Sequence, residues 1–362
     1  MRQTIVPPSL TDSWEDRMTT HDLPARVDDA NADVSDRYDP SVPPPSAGVY
    51  DLGDVTRLEV SFPSDGHRLA GHLYLPPTPQ RERDGRPPGV VLDGPATSVK
   101  EITVPVYAIR LARAGYMVLT FDRRGFGESQ GTVRQQMNPP DNVRDIRNAT
   151  TYLLSRDDVD PERVAGVGVC YGGGFMLQAG ALDRRYRAIA CIGAAYGSRE
   201  QMRDDMGHDG WIELMRTLAA QRQVDFEAGR PLAYQAGAPS SSPPGSALLL
   251  ADEPYDFYTN RQQQIAPSWV NLLTQESMQN MAEYDAIAYA PLVTPTPLLV
   301  VHGTVDPVIS PRYAQQVHAS AGEPKTIVWI ETSNHIQIYD IEPYVGQATT
   351  ALIDWLAKHM LA

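Results

Sequence analysis

Six short apolar runs, interleaved with stretches of helical spacing, constrain this chain more than any other feature. The runs are Gly89–Leu92, Tyr116–Phe121, Arg163–Val169, Ala188–Ala194, Pro297–His302 and Thr326–Ile330. Between them lie TVPVYAIRLARAG, NVRDIRNATTYLLS, the stretch after Cys170, and SPRYAQQVHASAG, where apolar residues recur at helical intervals. Strands that alternate with helices predict a mostly parallel, doubly wound sheet covered on both faces. Ahead of the first run, VTRLEVSF and LAGHLYLP alternate around SDGH, which predicts a β-hairpin.

Two regions depart from this rhythm. Residues 1–52 are acidic and proline-rich and have no sustained apolar period, so an extended or partly disordered N-terminal arm is expected. Residues 198–290 interrupt the alternation. GWIELMRTLAAQR and SWVNLLTQESMQNM read as amphipathic helices, and AGAPSSSPPGS between them reads as a mobile linker. An insertion rich in Trp, Met and Tyr predicts a helical cap over a pocket, with Trp211, Met215, Trp269 and Met278 as pocket-lining candidates. The α/β core is then 53–197 together with 291–362.

Composition narrows the function. The chain has 362 residues, 42% hydrophobic and 21% charged, as expected of a soluble globular protein. Its 31 basic and 45 acidic residues give a net charge of −14 without a basic run, which argues against nucleic acid and anionic membranes as partners. No apolar stretch of membrane-spanning length occurs, and the first residues lack the apolar core of a signal peptide. With only two cysteines a disulfide framework is not expected, so a reducing cytoplasm is the default location. The eight histidines are scattered, so no metal site is expected.

One of the two cysteines sits in GVGVCYGGG, residues 166–174. As a dinucleotide fingerprint the stretch fails: Tyr171 stands where the third glycine is wanted, and no acidic residue ends the following strand, AIACIGAAYG. As Gly168-Val169-Cys170-Tyr171-Gly172 it is a G-x-C-x-G, the pattern of a nucleophile elbow with cysteine in the central place. A thiol there would stand at a helix N-terminus, where the helix dipole favours the thiolate. A base and its orienting acid should follow in the order acid, then histidine. PLLVVHGTVDPVIS places Asp306 after one late strand, and TIVWIETSNHIQIYD places His335 after the next.

These motifs, with LDGPATSVKE and LTFDRRGFGES, resemble the α/β-hydrolase superfamily over residues 55–360, specifically its dienelactone-hydrolase-like branch with a cysteine nucleophile. The resemblance implies an α/β-hydrolase fold and a Cys170–His335–Asp306 triad with no cofactor. Dienelactone hydrolases proper are shorter and lack so large an insertion, so a dienelactone substrate does not carry over. The oxyanion hole is expected from the N–H of Tyr171 and from the loop after Asp93-Gly94. Pro95 has no N–H to give, so Ala96 or its neighbour Thr97 is the second candidate donor.

The expected chemistry is acyl transfer through a thioester, with a small-molecule ester, lactone or thioester as substrate. Hydrolysis of the acyl-enzyme is the expected outcome; transfer or cyclisation onto another nucleophile, as in polyketide-type acyl transferases, and a non-catalytic ligand-binding protein on the same fold stay open as alternatives, as does a homodimer. Other polar residues read as structural. Cys191, inside AIACIGAA, is expected to be buried and inert. His302 is expected to shape the acid loop, and Lys100-Glu101 to begin the first helix. Asp122, Arg123, Arg124 and Glu128 are expected to pin a turn, with Arg123 or Arg124 as an alternative pocket residue.

Overall fold

A computed structural model describes residues 50–77, 83–229, 234–235, 252–262 and 264–361. The expected arm and the AGAPSSSPPGS linker lie outside the described residues, except for the arm's last three positions. The chain enters the sheet through the antiparallel hairpin β1 (Thr56–Ser64) and β2 (His67–Leu75). Asp65 and Gly66 turn it with φ of 45° and 85°, the left-handed pair that a tight two-residue hairpin turn requires.

Then strands and helices alternate as the sequence pattern predicts: β3 (Pro88–Asp93), α1 (Val104–Arg113), β4 (Met117–Phe121), α2 (Pro139–Leu154), β5 (Asp160–Val169), α3 (Tyr171–Leu182) and β6 (Tyr186–Ile192). After the interruption come the short α7 (Ala290–Val293), β9 (Leu298–Gly303), α8 (Pro311–Ser320), β10 (Lys325–Ile330), the short α9 (Gln337–Asp340) and α10 (Tyr344–Met360). The sheet order is β1-β2-β4-β3-β5-β6-β9-β10, and only the pairs made by β2 are antiparallel. This is the α/β-hydrolase arrangement.

Every residue of β3 and β4 is buried, because helices cover both faces there. The helices present apolar stripes at helical spacing. In α2 the buried positions include Val143, Ile146, Ala149 and Leu153; in α10 they include Val345, Ala348, Leu352 and Leu356. Prolines within the first turn of α1, α2 and α8 fit where backbone N–H groups have no helical partner. Strand order reverses between β3 and β5, so the crevice beyond their C-terminal ends is the place where this topology puts ligands.

Residues 198–290 hold α4 (Ser198–Ala228), broken at Gly207, where φ is 71°, and the two-stranded pair β7 (Tyr234–Gln235) and β8 (Leu273–Thr274). They also hold α5 (Asp252–Tyr255), which runs into a π-helical turn over Asp256–Gln262, and α6 (Gln275–Glu283). GWIELMRTLAAQR lies within α4 as expected. SWVNLLTQESMQNM is only partly helical: its helix starts at Gln275, because Leu273 and Thr274 pair with β7 and the Thr274 hydroxyl accepts the Ser277 N–H. Lys100-Glu101 also departs from expectation. The first helix begins at Val104, and Lys100 turns inward to meet Glu101, Glu128 and Asp122 at 2.6, 2.8 and 3.2 Å. For a lysine only 1% exposed these ion pairs outweigh one more helical turn.

Candidate active site

Cys170 follows β5 directly and caps α3 with φ 56° and ψ −126°, a backbone conformation that a residue with a Cβ rarely adopts. The surroundings enforce it. The Cys170 N–H donates to the Ile192 carbonyl at 3.0 Å, while the Cys170 carbonyl accepts from Gly173 and Ala195 at 2.9 and 3.1 Å. The flanking glycines are needed for space. A Cβ on Gly168 would lie 2.1 Å from the Gly172 carbonyl oxygen, and one on Gly172 would lie 2.5 Å from that of Gly94. No acidic residue occupies the first turn of α3, so nothing there offsets the positive end of the helix next to the thiol.

Asp306 lies in the loop after β9. Its Oδ1 accepts the Val308 and Ile309 N–H groups at 2.9 and 2.8 Å, which leaves Oδ2 aimed at His335 Nδ1, 2.6 Å away. His335 comes from the loop after β10 and is 1% exposed. Burial opposes charge on both groups, yet each stabilises the charged form of the other. Asp306 is held below the usual carboxylate range, and His335 is pushed up by Asp306 and by the Cys170 thiolate, so the imidazolium is favoured once the thiol proton has reached Nε2. His302 donates Nδ1–H to the Gly303 carbonyl at 3.0 Å, and its Nε2 lies 3.9 Å from Asp306. Burial pushes the His302 ring down and favours its neutral form, which leaves His335 as the histidine that Asp306 can hold charged.

The structure therefore brings Cys170, Asp306 and His335 together, in the order the sequence presents them. Both candidate oxyanion segments adjoin the same point. Tyr171 opens α3, Ala96 is fully buried, and the Gly172 N–H donates to the Gly94 carbonyl at 3.0 Å, tying the two segments to each other. Trp269 stands at the site as well. It stacks on Tyr258 at 5.3 Å, and its indole N–H donates to Thr97 Oγ1 at 3.4 Å. Met278 is buried in α6, while Trp211 and Met215 are half-buried on α4; no described contact joins these three to the triad. Cys191 is buried on β6, its thiol donating to the Gly173 carbonyl at 3.3 Å, and burial pushes that thiol up to about 12. That makes it inert, as expected.

Two residues at the site, Tyr258 and Tyr339, escape sequence reasoning, and Arg123, expected to pin a turn or face the pocket, braces the loop after β3. Arg123 sends its guanidinium under the loop after β3, donating to the carbonyls of Gly94, Pro95 and Ala96 and to Asp93. Tyr258 accompanies Trp269, and burial raises its phenol together with the charge of Cys170. Tyr339 places its hydroxyl 2.8 Å from His335 Nε2. The spacing of four residues between His335 and Tyr339 in HIQIY was the one available signal, since it sets both on one side of a helical turn. Among the described residues no cluster of His, Cys, Asp or Glu could hold a metal ion, and no helix is long and apolar enough to cross a membrane.

Comparison with known proteins agrees with this architecture. Residues 90–342 match the hydrolase family described as serine aminopeptidase, S33. The chain is 30% identical over 304 residues to uncharacterized protein PA2218 of Pseudomonas aeruginosa, covering 79% of this chain and 76% of that one. The crystal structure of that protein superposes with a TM-score of 0.74 at 26% identity, over 85% of this chain and 94% of its own. Thiohydrolase aneE of Aspergillus aculeatus is 27% identical over 79% of this chain and 88% of its own length. Polyketide transferase claH of Penicillium crustosum is 24% identical over 78% and 91%.

Proposed function

Because the chain belongs to the α/β-hydrolase family described as serine aminopeptidase, S33, we propose that it is an acyl hydrolase of the dienelactone-hydrolase-like kind, with Cys170 in the place of the serine. The observation that carries this reading is the joint geometry of the elbow and the pair behind it. A cysteine at φ 56° heads a helix, and a histidine buried beside it is locked to Asp306 at 2.6 Å. Asp306 fixes the ring with its proton on Nδ1 and stabilises the imidazolium. Nε2 takes the Cys170 proton, the thiolate attacks an ester, lactone or thioester carbonyl, and a thioester acyl-enzyme forms as His335 protonates the leaving group.

The Tyr171 and Ala96 amides are the proposed oxyanion donors, each worth about 2.7–4 kcal/mol of transition-state stabilisation if it acts as such donors usually do. Arg123 supports this by holding the carbonyls of 94–96 on one side of their loop. The substrate proposed is a small acyl compound seated against Trp269, with Trp211, Met215 and Met278 further out. The names of the relatives, a thiohydrolase and a polyketide transferase, fit both fates of such an intermediate. One observation favours transfer as a second reading: Cys170 is fully buried and His335 nearly so, and a site closed to water protects a thioester for an alcohol or amine acceptor.

The test is intact mass after mixing with a short activated ester, followed by peptide mapping. An acyl mass on the Cys170 peptide, absent from Cys170→Ala and slow to form in His335→Ala, is the expected result. Neither adduct nor turnover, or an adduct on Cys191, would defeat the proposal and leave a ligand-binding protein on a hydrolase fold. Adding an alcohol or amine acceptor then separates hydrolysis from transfer by product.

A further inference from the structure

His335 Nε2 is the atom that must take the proton of the nucleophile, and in this structure a phenol stands on it. The Tyr339 hydroxyl lies 2.8 Å from Nε2, and its ring meets the imidazole edge-on at 5.0 Å. Tyr339 is 1% exposed and packs edge-on against Phe257 at 5.4 Å, so the hydroxyl is not exchanging with solvent. Cys170 acts on both members of the hydroxyl–imidazole pair, since its charge raises the Tyr339 phenol and the His335 imidazole alike. The phenol and the imidazole are thus joined to each other at 2.8 Å, and both lie within the electrostatic reach of the Cys170 thiol. A buried hydroxyl with one proton and two lone pairs can accept from one neighbour while donating to the other.

We propose that Tyr339 is a further catalytic residue of this site, a one-hydroxyl proton relay that bridges Cys170 and His335. The inference rests on the cysteine-nucleophile reading above. In the step, the S–H bond of Cys170 breaks and its proton passes to Tyr339 Oη. At the same time the Oη–H bond breaks and that proton passes to His335 Nε2. The electron pair of the S–H bond stays on sulfur, and the tyrosine ends with as many protons as it began. The product is a thiolate and an imidazolium, with Nε2–H donating to Oη and Oη–H donating to sulfur. The phenol therefore both conducts the proton and stabilises the charge it leaves behind.

The surrounding groups suit this role. Burial, then the Cys170 charge, raises the Tyr339 phenol well above its ordinary value, so it stays a neutral donor. The other titratable groups acting on it are Tyr258, from the π-helical turn, and Asp306, from the loop after β9. Tyr258 is itself raised by burial and stays neutral, which leaves Asp306 as the fixed charge behind the imidazole.

The experiment is the pH dependence of Cys170 alkylation by iodoacetamide, read by peptide mass, in wild type, Tyr339→Phe and His335→Ala. Phenylalanine keeps the ring that packs on Phe257 and removes only the oxygen. With the relay, the midpoint in Tyr339→Phe rises by about one pH unit, so alkylation is about tenfold slower below the wild-type midpoint. A midpoint that coincides with wild type, or falls because the phenol had merely been occupying Nε2, overturns the proposal. If His335→Ala superimposes on wild type, the cysteine–histidine pairing itself is wrong and the relay falls with it. A second measurement needs no variant. In mixtures of light and heavy water, two protons in flight bow the acylation rate of wild type, whereas a single-proton transfer gives a straight line and counts against the relay.

Discussion

Arg123 shows how much one buried side chain can decide at the site. Its guanidinium and the Asp93 carboxylate are each 2% exposed and meet at 2.9 Å, and the remaining donors reach the carbonyls of Pro95 and Ala96 at 2.9 and 3.1 Å. Lysine has no such fork and could not hold an acid and several carbonyls at once. Burial raises the Asp93 carboxyl even beside this cation, so the charge on Asp93 is tolerated only because Arg123 is there. Arg123→Met is therefore expected to cost about 3–5 kcal/mol, most of it from an abandoned buried carboxylate. Asp93→Asn in the same chain should return a substantial part of that loss, which urea unfolding of the single and double variants measures. If the double variant is no more stable than Arg123→Met, the charge pairing is not what holds the loop.

At the scale of the element, the strand-turn-helix of β5 and α3 has the least freedom. Gly172 has ordinary backbone dihedrals, but a Cβ there would meet the backbone oxygens of Gly94 and Asp93 at 2.5 and 2.6 Å, which no side-chain rotation relieves. Gly172→Ala should therefore destabilise by about 3 kcal/mol and, by pushing α3 off the β3 loop, slow the proposed acylation of Cys170 by about 100-fold or more. Gly66→Ala is the control. It has φ +85° and open space around it, so only backbone strain of about 1–2 kcal/mol is expected and activity should hold. Thermal melts beside initial rates distinguish the two.

The same element explains what was legible in the sequence. Local patterns carried the strands, the hairpin and the elbow, because each is specified by residues adjacent in the chain. The order of Cys170, Asp306 and His335 was readable because each ends or follows its own apolar run. The inward turn of Lys100, the hold of Arg123 on the loop after β3 and the place of Tyr339 were not. Asp122 and Glu128 lie 22 and 28 positions from Lys100, the Arg123 partners 27–30, and Cys170 169 positions from Tyr339, and only the folded sheet brings them near. The start of α6 was missed for a related reason: the helical period runs back through SWVNL, but two residues of it are claimed by pairing with β7.

For the molecule as a whole, the question is how anything reaches Cys170. The thiol is fully buried, and the segment that meets the site comes from the interruption between β6 and β9 rather than from the core. Trp269 is its contact with the loop after β3: it stacks on Tyr258 of the same segment with its N–H on Thr97, while the Tyr258 hydroxyl lies 3.3 Å from Ser98 Oγ. These two hydrogen bonds are modest holds, together a few kcal/mol at most, so this contact can open without unfolding the sheet. Trp269→Leu keeps an apolar side chain there but loses both the stacking and the donor. Cys170 should then react about tenfold faster with a bulky maleimide, with a smaller gain for iodoacetamide, because the small reagent needs less opening. Cys191 serves as the internal standard, since it is buried on β6 and held to Gly173. If Cys170 alone gains reactivity, the inserted segment governs access; if both cysteines label together, the substitution has loosened the whole core and access is not controlled at Trp269.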